Sequence, residues 1–166
     1  MRAAYVIVAV ILLAVVGGVS MSLIAQSVEQ PIPFNHKLHV EEAGMECTDC
    51  HLYAVDGVRA TIPNIDVCGE CHEEPLTESE HEAQVAEHVR DGVPIPWRKV
   101  YWVPEHVYFS HRRHTAIAGI ACERCHGNMS ERVDPLTRPL VRLDMNECIK
   151  CHRETDVSND CVACHK

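Results

Sequence analysis

The sequence has 166 residues, of which 46% are hydrophobic, and its formal net charge is −9 with histidine counted as neutral. This acidic balance argues against nucleic acid or a bare anionic membrane surface as a partner, because both recruit basic proteins. With only two Phe, two Trp and four Tyr, the chain also has few large side chains from which to build a hydrophobic core.

The first feature along the chain is an uncharged apolar run over residues 3–25, AAYVIVAVILLAVVGGVSMSLIA. At about 1.5 Å per residue, a helix of this length crosses a hydrocarbon core of about 30 Å. A cleaved signal peptide is the alternative, but its apolar stretch would be shorter, and Leu23 is poorly placed for cleavage after Ala25. We therefore expect an uncleaved transmembrane anchor over residues 1–26. Arg2 favours a cytoplasmic N-terminus, which places the remainder on the periplasmic side of the cytoplasmic membrane.

All ten cysteines fall into five copies of C-x-x-C-H. The copies comprise Cys47, Cys50 and His51; Cys68, Cys71 and His72; Cys122, Cys125 and His126; Cys148, Cys151 and His152; and Cys161, Cys164 and His165. This motif is the attachment signature of c-type haem, in which the thiols bond to the porphyrin and the histidine binds the iron. Zinc sites do not require a histidine after every second cysteine, and a thioredoxin-like pair would occur once. We predict five covalent c-type haems, each with its motif histidine as the proximal ligand.

An internal repeat surrounds two of these motifs. The segments FNHKLHVEEAGMECTDCH (34–51) and FSHRRHTAIAGIACERCH (109–126) align without a gap and agree at eight of eighteen positions. The match indicates a duplication. It predicts a first haem module over residues 27–75 with two motifs, and a second over residues 107–166 with three.

A connector over residues 76–106 separates the two modules. Residues 76–92 have a helical pattern, with Thr77 and Glu80 as a predicted capping box and Gly92 as the C-terminal stop. Residues 93–106, VPIPWRKVYWVPEH, contain three prolines and β-prone aromatic residues. We expect this part to be extended and to pack over a haem or a partner; a surface linker is the alternative.

Seven histidines lie outside the motifs, and a low-spin haem needs a second axial ligand, normally His or Met. Residues three apart on a helical turn occupy neighbouring faces, so two such imidazoles can reach two different irons. On this basis the predicted distal ligands are His36, His39, His111 and His114. For the fifth haem we favour His106, and the alternatives are His88, Met145 and Met129. His81 is expected to be solvated. Arg112 and Arg113 either pair with haem propionates or form a solvated basic patch.

The resulting fold class is an N-terminal transmembrane helix followed by a small multihaem cytochrome c domain. About 140 residues for five haems leave too few side chains for an ordinary core. We therefore expect mostly coil with short α-helices, around a core built from the haems.

The pattern F-x-H-x-x-H followed by C-x-x-C-H resembles the multihaem class III cytochromes c, in which the two histidines bind different haems. The second half, PIPWRKVYWVPEHVYFSHRRH followed by CERCHG, MNECIKCHRE and CVACHK, is similar to the membrane-anchored pentahaem subunit of alternative complex III and related quinone-oxidoreductase assemblies. This resemblance supports His36, His39, His111 and His114 as ligands. It implies an electron relay between integral-membrane quinone-binding and iron–sulfur subunits and a small cytochrome or terminal oxidase.

The sequence thus predicts an electron-transfer subunit with no catalytic residues of its own. One alternative is a multihaem reductase, which would need an iron with an open position, although the spare histidines outnumber the distal sites. The other is an anchored quinol dehydrogenase that acts alone.

Overall fold

The structure, a computed structural model, describes residues 27–166 and seven isolated earlier positions (5, 7, 8, 11–13 and 15). The predicted anchor over residues 1–26 therefore lies almost entirely outside the described residues. Among the positions that are described, no helix has the length and apolar character needed to cross a membrane.

Residues 27–166 form short helices joined by coil, and this stretch contains no β-strand. The elements are a π-helical segment π1 (Leu38–Glu42), α1 (Cys47–Cys50), α2 (Ile65–Cys68), α3 (Glu80–Asp91), a second π-helical segment π2 (Arg113–Ile117), α4 (Glu123–His126), α5 (Met145–Glu154) and α6 (Cys161–Cys164). An isolated antiparallel bridge joins Val107 to His165. The predicted small domain of helix and coil is confirmed, whereas the division into modules at residues 75 and 106 remains a prediction.

Each C-x-x-C-H motif is wound into a single helical turn. In four motifs the backbone N–H of the histidine donates to the carbonyl of the first cysteine, over 2.8–3.0 Å; these are the motifs that end at His51, His72, His126 and His165. The fourth motif lies inside α5. Positions i, i+3 and i+4 share one face of a helix, so this turn directs both thiols and the imidazole to the same side.

The duplicated segments adopt the same local structure. The segments π1 and π2 occupy equivalent places, and each is followed by a glycine in the left-handed region, Gly44 (φ 70°) and Gly119 (φ 64°). A side chain with a Cβ atom rarely adopts this conformation, so the glycines allow each helical turn to end immediately before a haem motif.

The predicted capping box at the start of the connector helix was wrong. Helix α3 begins after Ser79, and the carboxylate of Glu82, not Glu80, accepts the backbone N–H groups of Leu76 (2.9 Å) and Thr77 (2.8 Å). These bonds hold residues 76–78 outside the helix. The predicted stop at the other end is confirmed, because the residue after the helix is the left-handed Gly92.

Helix α3 packs directly against α2, which carries the first cysteine of the second motif. A Cβ atom at Gly69, just after α2, would lie 3.1 Å from Cγ1 of Val89 on α3 and 3.0 Å from the carbonyl oxygen of Ile65. The absence of a side chain there allows the two helices to approach closely. The second motif is therefore held in a fixed position relative to α3.

Very few apolar side chains are buried. Within the described part of the chain, the buried hydrophobic residues are Ile32, Ala54, Ala86 and Ile95, and no polar residue is buried. Large apolar side chains stay exposed next to the motifs, among them Trp102 (67% exposed) and Val162 (84%). Side chains alone do not form a core in this domain.

The extended part of the connector is fastened to the first module. Ile95 is only 2% exposed, and the Asn64 amide holds its backbone from both sides. Asn64 Oδ1 accepts from the Ile95 N–H (2.8 Å), and Asn64 Nδ2 donates to the Ile95 carbonyl (3.0 Å). The same Oδ1 accepts the N–H of Ile65 at the start of α2 (2.9 Å). The segment is thus a packed element, and not a loose surface linker.

Replacing Asn64 with alanine should weaken the domain. The substitution removes a helix N-cap and two bonds to the connector, which we expect to cost about 1–2 kcal/mol. Denaturant unfolding of the holoprotein measures this cost. Asn146→Ala is the control, because Asn146 is exposed and the structure shows no hydrogen bond from its side chain. Equal unfolding midpoints for the two variants would contradict the role given to Asn64.

Candidate functional site

The imidazole rings form facing pairs, each with one motif histidine and one histidine from outside the motifs. Two imidazoles that bind one iron from opposite sides, with metal–nitrogen bonds of about 2 Å, have ring centroids roughly 6 Å apart. The measured pairs are His39 with His72 (6.2 Å), His111 with His126 (6.4 Å), His114 with His152 (6.2 Å) and His106 with His165 (5.5 Å). Their spacing suits an axial ligand pair.

His36 lies near His51 of the first motif. The pKa of His36 is lowered from 6.5 to about 4, first by burial and next by the neighbouring imidazole of His51. Burial likewise lowers the pKa of His111 and His126. These rings are neutral at neutral pH, and the neutral imidazole is the form that binds a metal.

The pairing follows the sequence repeat. The first histidine of each repeat, His36 or His111, lies near the motif fifteen residues further along the chain. The second, His39 or His114, faces the motif after that. One helical turn therefore contributes a ring to each of two neighbouring pairs.

Backbone carbonyls fix the orientation of several rings. The Nδ1 atoms lie within hydrogen-bonding distance of carbonyl oxygens, namely His39 with Asn35 (2.9 Å), His51 with Thr61 (3.1 Å), His114 with Ser110 (2.8 Å) and His152 with Ser158 (2.6 Å). A carbonyl accepts only from a protonated Nδ1, so this contact leaves the lone pair on Nε2. The Nε2 atom of each of these rings is then the available metal ligand.

A phenylalanine supports the two non-motif rings in each repeat. Phe34 meets His36 edge-on (4.7 Å between centroids) and stacks on His39 (4.5 Å). Phe109 makes the same two contacts with His111 and His114, at 5.0 and 4.6 Å. The repeated phenylalanine is thus a packing residue that sets the ring planes.

The loop over residues 57–61 links the two repeats. Its Thr61 carbonyl accepts from His51, while its Val58 carbonyl lies 3.3 Å from Nδ1 of His111 and accepts the backbone N–H of the same residue (3.0 Å). Thr61 has a left-handed backbone (φ 64°), which costs a β-branched residue on the order of 1–3 kcal/mol. One short loop therefore orients rings in both halves of the chain.

The cysteines of the first and third motifs also lie next to each other. Burial raises the pKa of the Cys47 thiol, and the neighbouring thiol of Cys122 raises it further. Burial also raises the pKa of Cys50 and Cys125. None of the ten thiols, all of which are described, is in a disulfide. The first motif of the first half lies beside the first motif of the second half, with uncharged thiols in both.

His106 reaches its partner through the C-terminal end of the chain. The Tyr108 N–H donates to the Cys164 carbonyl (2.7 Å), and the Lys166 N–H donates to the His106 carbonyl (3.1 Å). These bonds hold residues 106–108 against the fifth motif, which places His106 opposite His165.

The alternative ligands are placed elsewhere. His88 donates from Nδ1 to the Val93 carbonyl (2.8 Å) at the end of α3, and Met145 is 60% exposed at the start of α5. The side chains of His81, Arg112 and Arg113 are exposed. Met129 donates its backbone N–H to the Gly127 carbonyl, and its role as an alternative ligand remains a prediction. Pairing of Arg112 and Arg113 with propionates remains a prediction.

Glu82 is a site residue that the sequence argument missed. Its Oε1 lies 3.1 Å from Nδ1 of His72. This is an ion-pair distance, although the ring N–H does not point along it, and His72 Nδ1 is buried without another partner. The S-x-x-E spacing of Ser79 and Glu82 was the available signal, but it suggested only a helix cap.

The site residues fit a covalently attached haem. Each motif presents two thiols and an imidazole on one side of a turn, in four motifs a second imidazole faces the first, and the domain has almost no apolar core of its own. Among residues 27–166, no group of three or more His, Cys, Asp or Glu side chains gathers around a single point. The ring pairs differ from the four-ligand tetrahedron of structural zinc.

Comparison with known proteins identifies the same class. Residues 19–96 match the class III cytochrome c family, and residues 107–166 match the family described as cytochrome c7 and related cytochrome c. The chain belongs to the multihaem c-type cytochromes, whose members bind haem covalently.

More particularly, the chain is similar to the menaquinone reductase multihaem cytochrome c subunit of Nitratidesulfovibrio vulgaris. The two are 35% identical over an alignment of 166 positions that covers 83% of this chain and 77% of the relative. The predicted resemblance to multihaem cytochromes of quinone-oxidoreductase complexes is confirmed.

Tyr101 should stabilise the site through its hydroxyl. It donates to the His126 carbonyl (3.2 Å) and accepts the N–H groups of Leu140 (3.0 Å) and Val141 (3.3 Å). Tyr101→Phe keeps the ring and removes these bonds, so we expect a loss of about 1–2 kcal/mol in unfolding of the holoprotein.

Tyr108→Phe is the matched control for that variant. Tyr108 is 58% exposed, and the structure shows no hydrogen bond from its hydroxyl. If Tyr101→Phe is no less stable than Tyr108→Phe, the hydroxyl contacts contribute nothing.

Proposed function

We propose that this chain is a membrane-anchored electron-relay subunit that carries five c-type haems within a quinone-oxidoreductase complex. The single observation that carries the proposal is the set of four facing imidazole pairs at the second to fifth C-x-x-C-H motifs, with His36 lying near the histidine of the first motif. Haem c accepts and donates single electrons at a potential set by its axial ligands, hydrogen bonding and burial.

The protein's contribution is attachment, ligation and orientation. The ten motif cysteines attach the cofactors, and His51, His72, His126, His152 and His165 bind the irons on the proximal side. His36, His39, His111, His114 and His106 supply the distal ligands. Because the rings are held by carbonyls and by Phe34 and Phe109, the ligand geometry needs little rearrangement when the charge on a site changes.

The repeat also explains how the sites are spaced. His36 and His39 join the first two sites on one helical turn, and His111 and His114 join the third and fourth. The loop over residues 57–61 connects the two halves. These short covalent links keep the sites close together, as a chain of electron carriers requires.

Partners and location follow from the relative and the N-terminal run. The relative is named as a subunit of menaquinone reductase, which supports other subunits of such a complex as partners here. We propose that these are integral-membrane quinone-binding and iron–sulfur subunits, with a small cytochrome or oxidase beyond them. The uncharged run over residues 3–25 supports anchoring in the cytoplasmic membrane, with the haem domain on the periplasmic side.

Low-temperature EPR of the purified holoprotein, with haem counted in parallel, tests the relay. We expect five haems per chain, all low-spin when oxidised, because every iron has two histidine ligands. A stoichiometric high-spin signal that shifts on addition of nitrite would instead indicate an open iron and a reductase.

The fifth distal ligand can be tested separately. His106→Ala should retain five haems, since Cys161 and Cys164 still attach the cofactor, but one haem in five should become high-spin. His88→Ala is the control and should leave every haem low-spin. The assignment of His106 fails if its variant stays fully low-spin.

Dependence on partners distinguishes the relay from a dehydrogenase that acts alone. A menaquinol analogue should reduce the haems in the intact complex and not in the isolated detergent-solubilised chain. Rapid reduction of the isolated chain would favour the stand-alone quinol dehydrogenase.

A further inference from the structure

The surroundings of His72 differ from those of the other motif histidines with a fixed Nδ1. His51 and His152 face neutral backbone carbonyls, whereas His72 faces the carboxylate of Glu82. The two side chains are largely enclosed, with 20% of His72 and 12% of Glu82 exposed. Solvent therefore screens this contact only partly.

The Glu82 carboxylate is fixed in place by the chain just before α3. Oε1 accepts the Leu76 N–H, and Oε2 accepts the Thr77 N–H and the Thr77 hydroxyl. The packing of α3 against α2 at Gly69 fixes the same helix relative to the second motif. Glu82 consequently remains beside His72 when other side chains move.

We propose that the Glu82 carboxylate, 3.1 Å from Nδ1 of His72, lowers the reduction potential of the haem at the second motif by placing a negative charge beside its histidine ligand. This proposal rests on ligation by His72 in the proposed function. A negative charge close to the ring makes the imidazole a stronger electron donor. The more highly charged oxidised iron is then stabilised relative to the reduced iron.

The decisive variant is Glu82→Gln in the full-chain holoprotein. Glutamine has the same shape and removes the charge, and its single oxygen can still accept from one of the two N–H groups of Leu76 and Thr77. We expect unchanged haem content, all haems low-spin, and one-fifth of the haem absorbance titrating at a higher potential. The expected size is a tenfold change in the oxidised-to-reduced ratio, which is 59 mV for one electron.

The shifted component must belong to the second motif. His39→Ala removes the ring that faces His72, so it should convert one EPR signal to high-spin and thereby mark that haem. The signal that moves in Glu82→Gln should be the marked one. A shift confined to a different haem would overturn the proposal.

Glu87→Gln is the matched control, because it removes the same charge from an exposed position on the same helix. An equal shift in this control would mean that the charge acts at long range.

Thr77→Val provides the opposite test. Without the bond from the Thr77 hydroxyl, the negative charge of the Glu82 carboxylate is less neutralised and acts more strongly on His72, so the potential should fall. A rise in both Glu82→Gln and Thr77→Val would indicate loosening of the loop and would also overturn the proposal.

The two proposals fail in different ways. A wild-type protein with fewer than five low-spin haems would contradict the proposed function. A wild-type protein with five low-spin haems, combined with unshifted potentials in Glu82→Gln, would contradict only the role of Glu82.

Discussion

The structure depends on the bond between an imidazole Nδ1 and an acceptor on the chain. An imidazole that donates from Nδ1 has its lone pair on Nε2, so this one contact decides both the protonation state and the direction of a metal ligand. Two rings receive it from the carbonyl four residues earlier, His39 from Asn35 and His114 from Ser110. Local helix geometry therefore prepares these ligands before any long-range packing is required.

The oriented histidine ligands matter for stability because few side chains are buried. A domain with four buried apolar residues in its described part cannot obtain its stability from side-chain packing in the usual way. Covalent cofactors with two axial ligands each would supply both the apolar volume and the cross-links. Apolar side chains that remain exposed beside the motifs, such as Trp102, are then surfaces available to cover a cofactor or a partner subunit.

Much of this organisation could be predicted from the sequence, because covalent attachment and duplication leave fixed spacings. The repeat predicted that His36 and His39 would serve two different sites, and the structure places them near two different motifs. The helix start was mispredicted because Thr77 to Glu80 and Ser79 to Glu82 satisfy the same capping pattern. The roles of the Thr61 and Val58 carbonyls could not be predicted, since every residue has a carbonyl and only the folded backbone shows which one is aimed at a ring.

The order of residues within the facing pairs bears on how the protein is assembled. In all five pairs the non-motif histidine precedes its motif partner along the chain, from His36 before His51 to His106 before His165. Chains are synthesised from the N-terminus, so each second ligand has already emerged when its motif becomes available for haem attachment. A haem attached to such a motif would find its second histidine ligand already synthesised. The sites can thus be completed in the order in which their motifs are made.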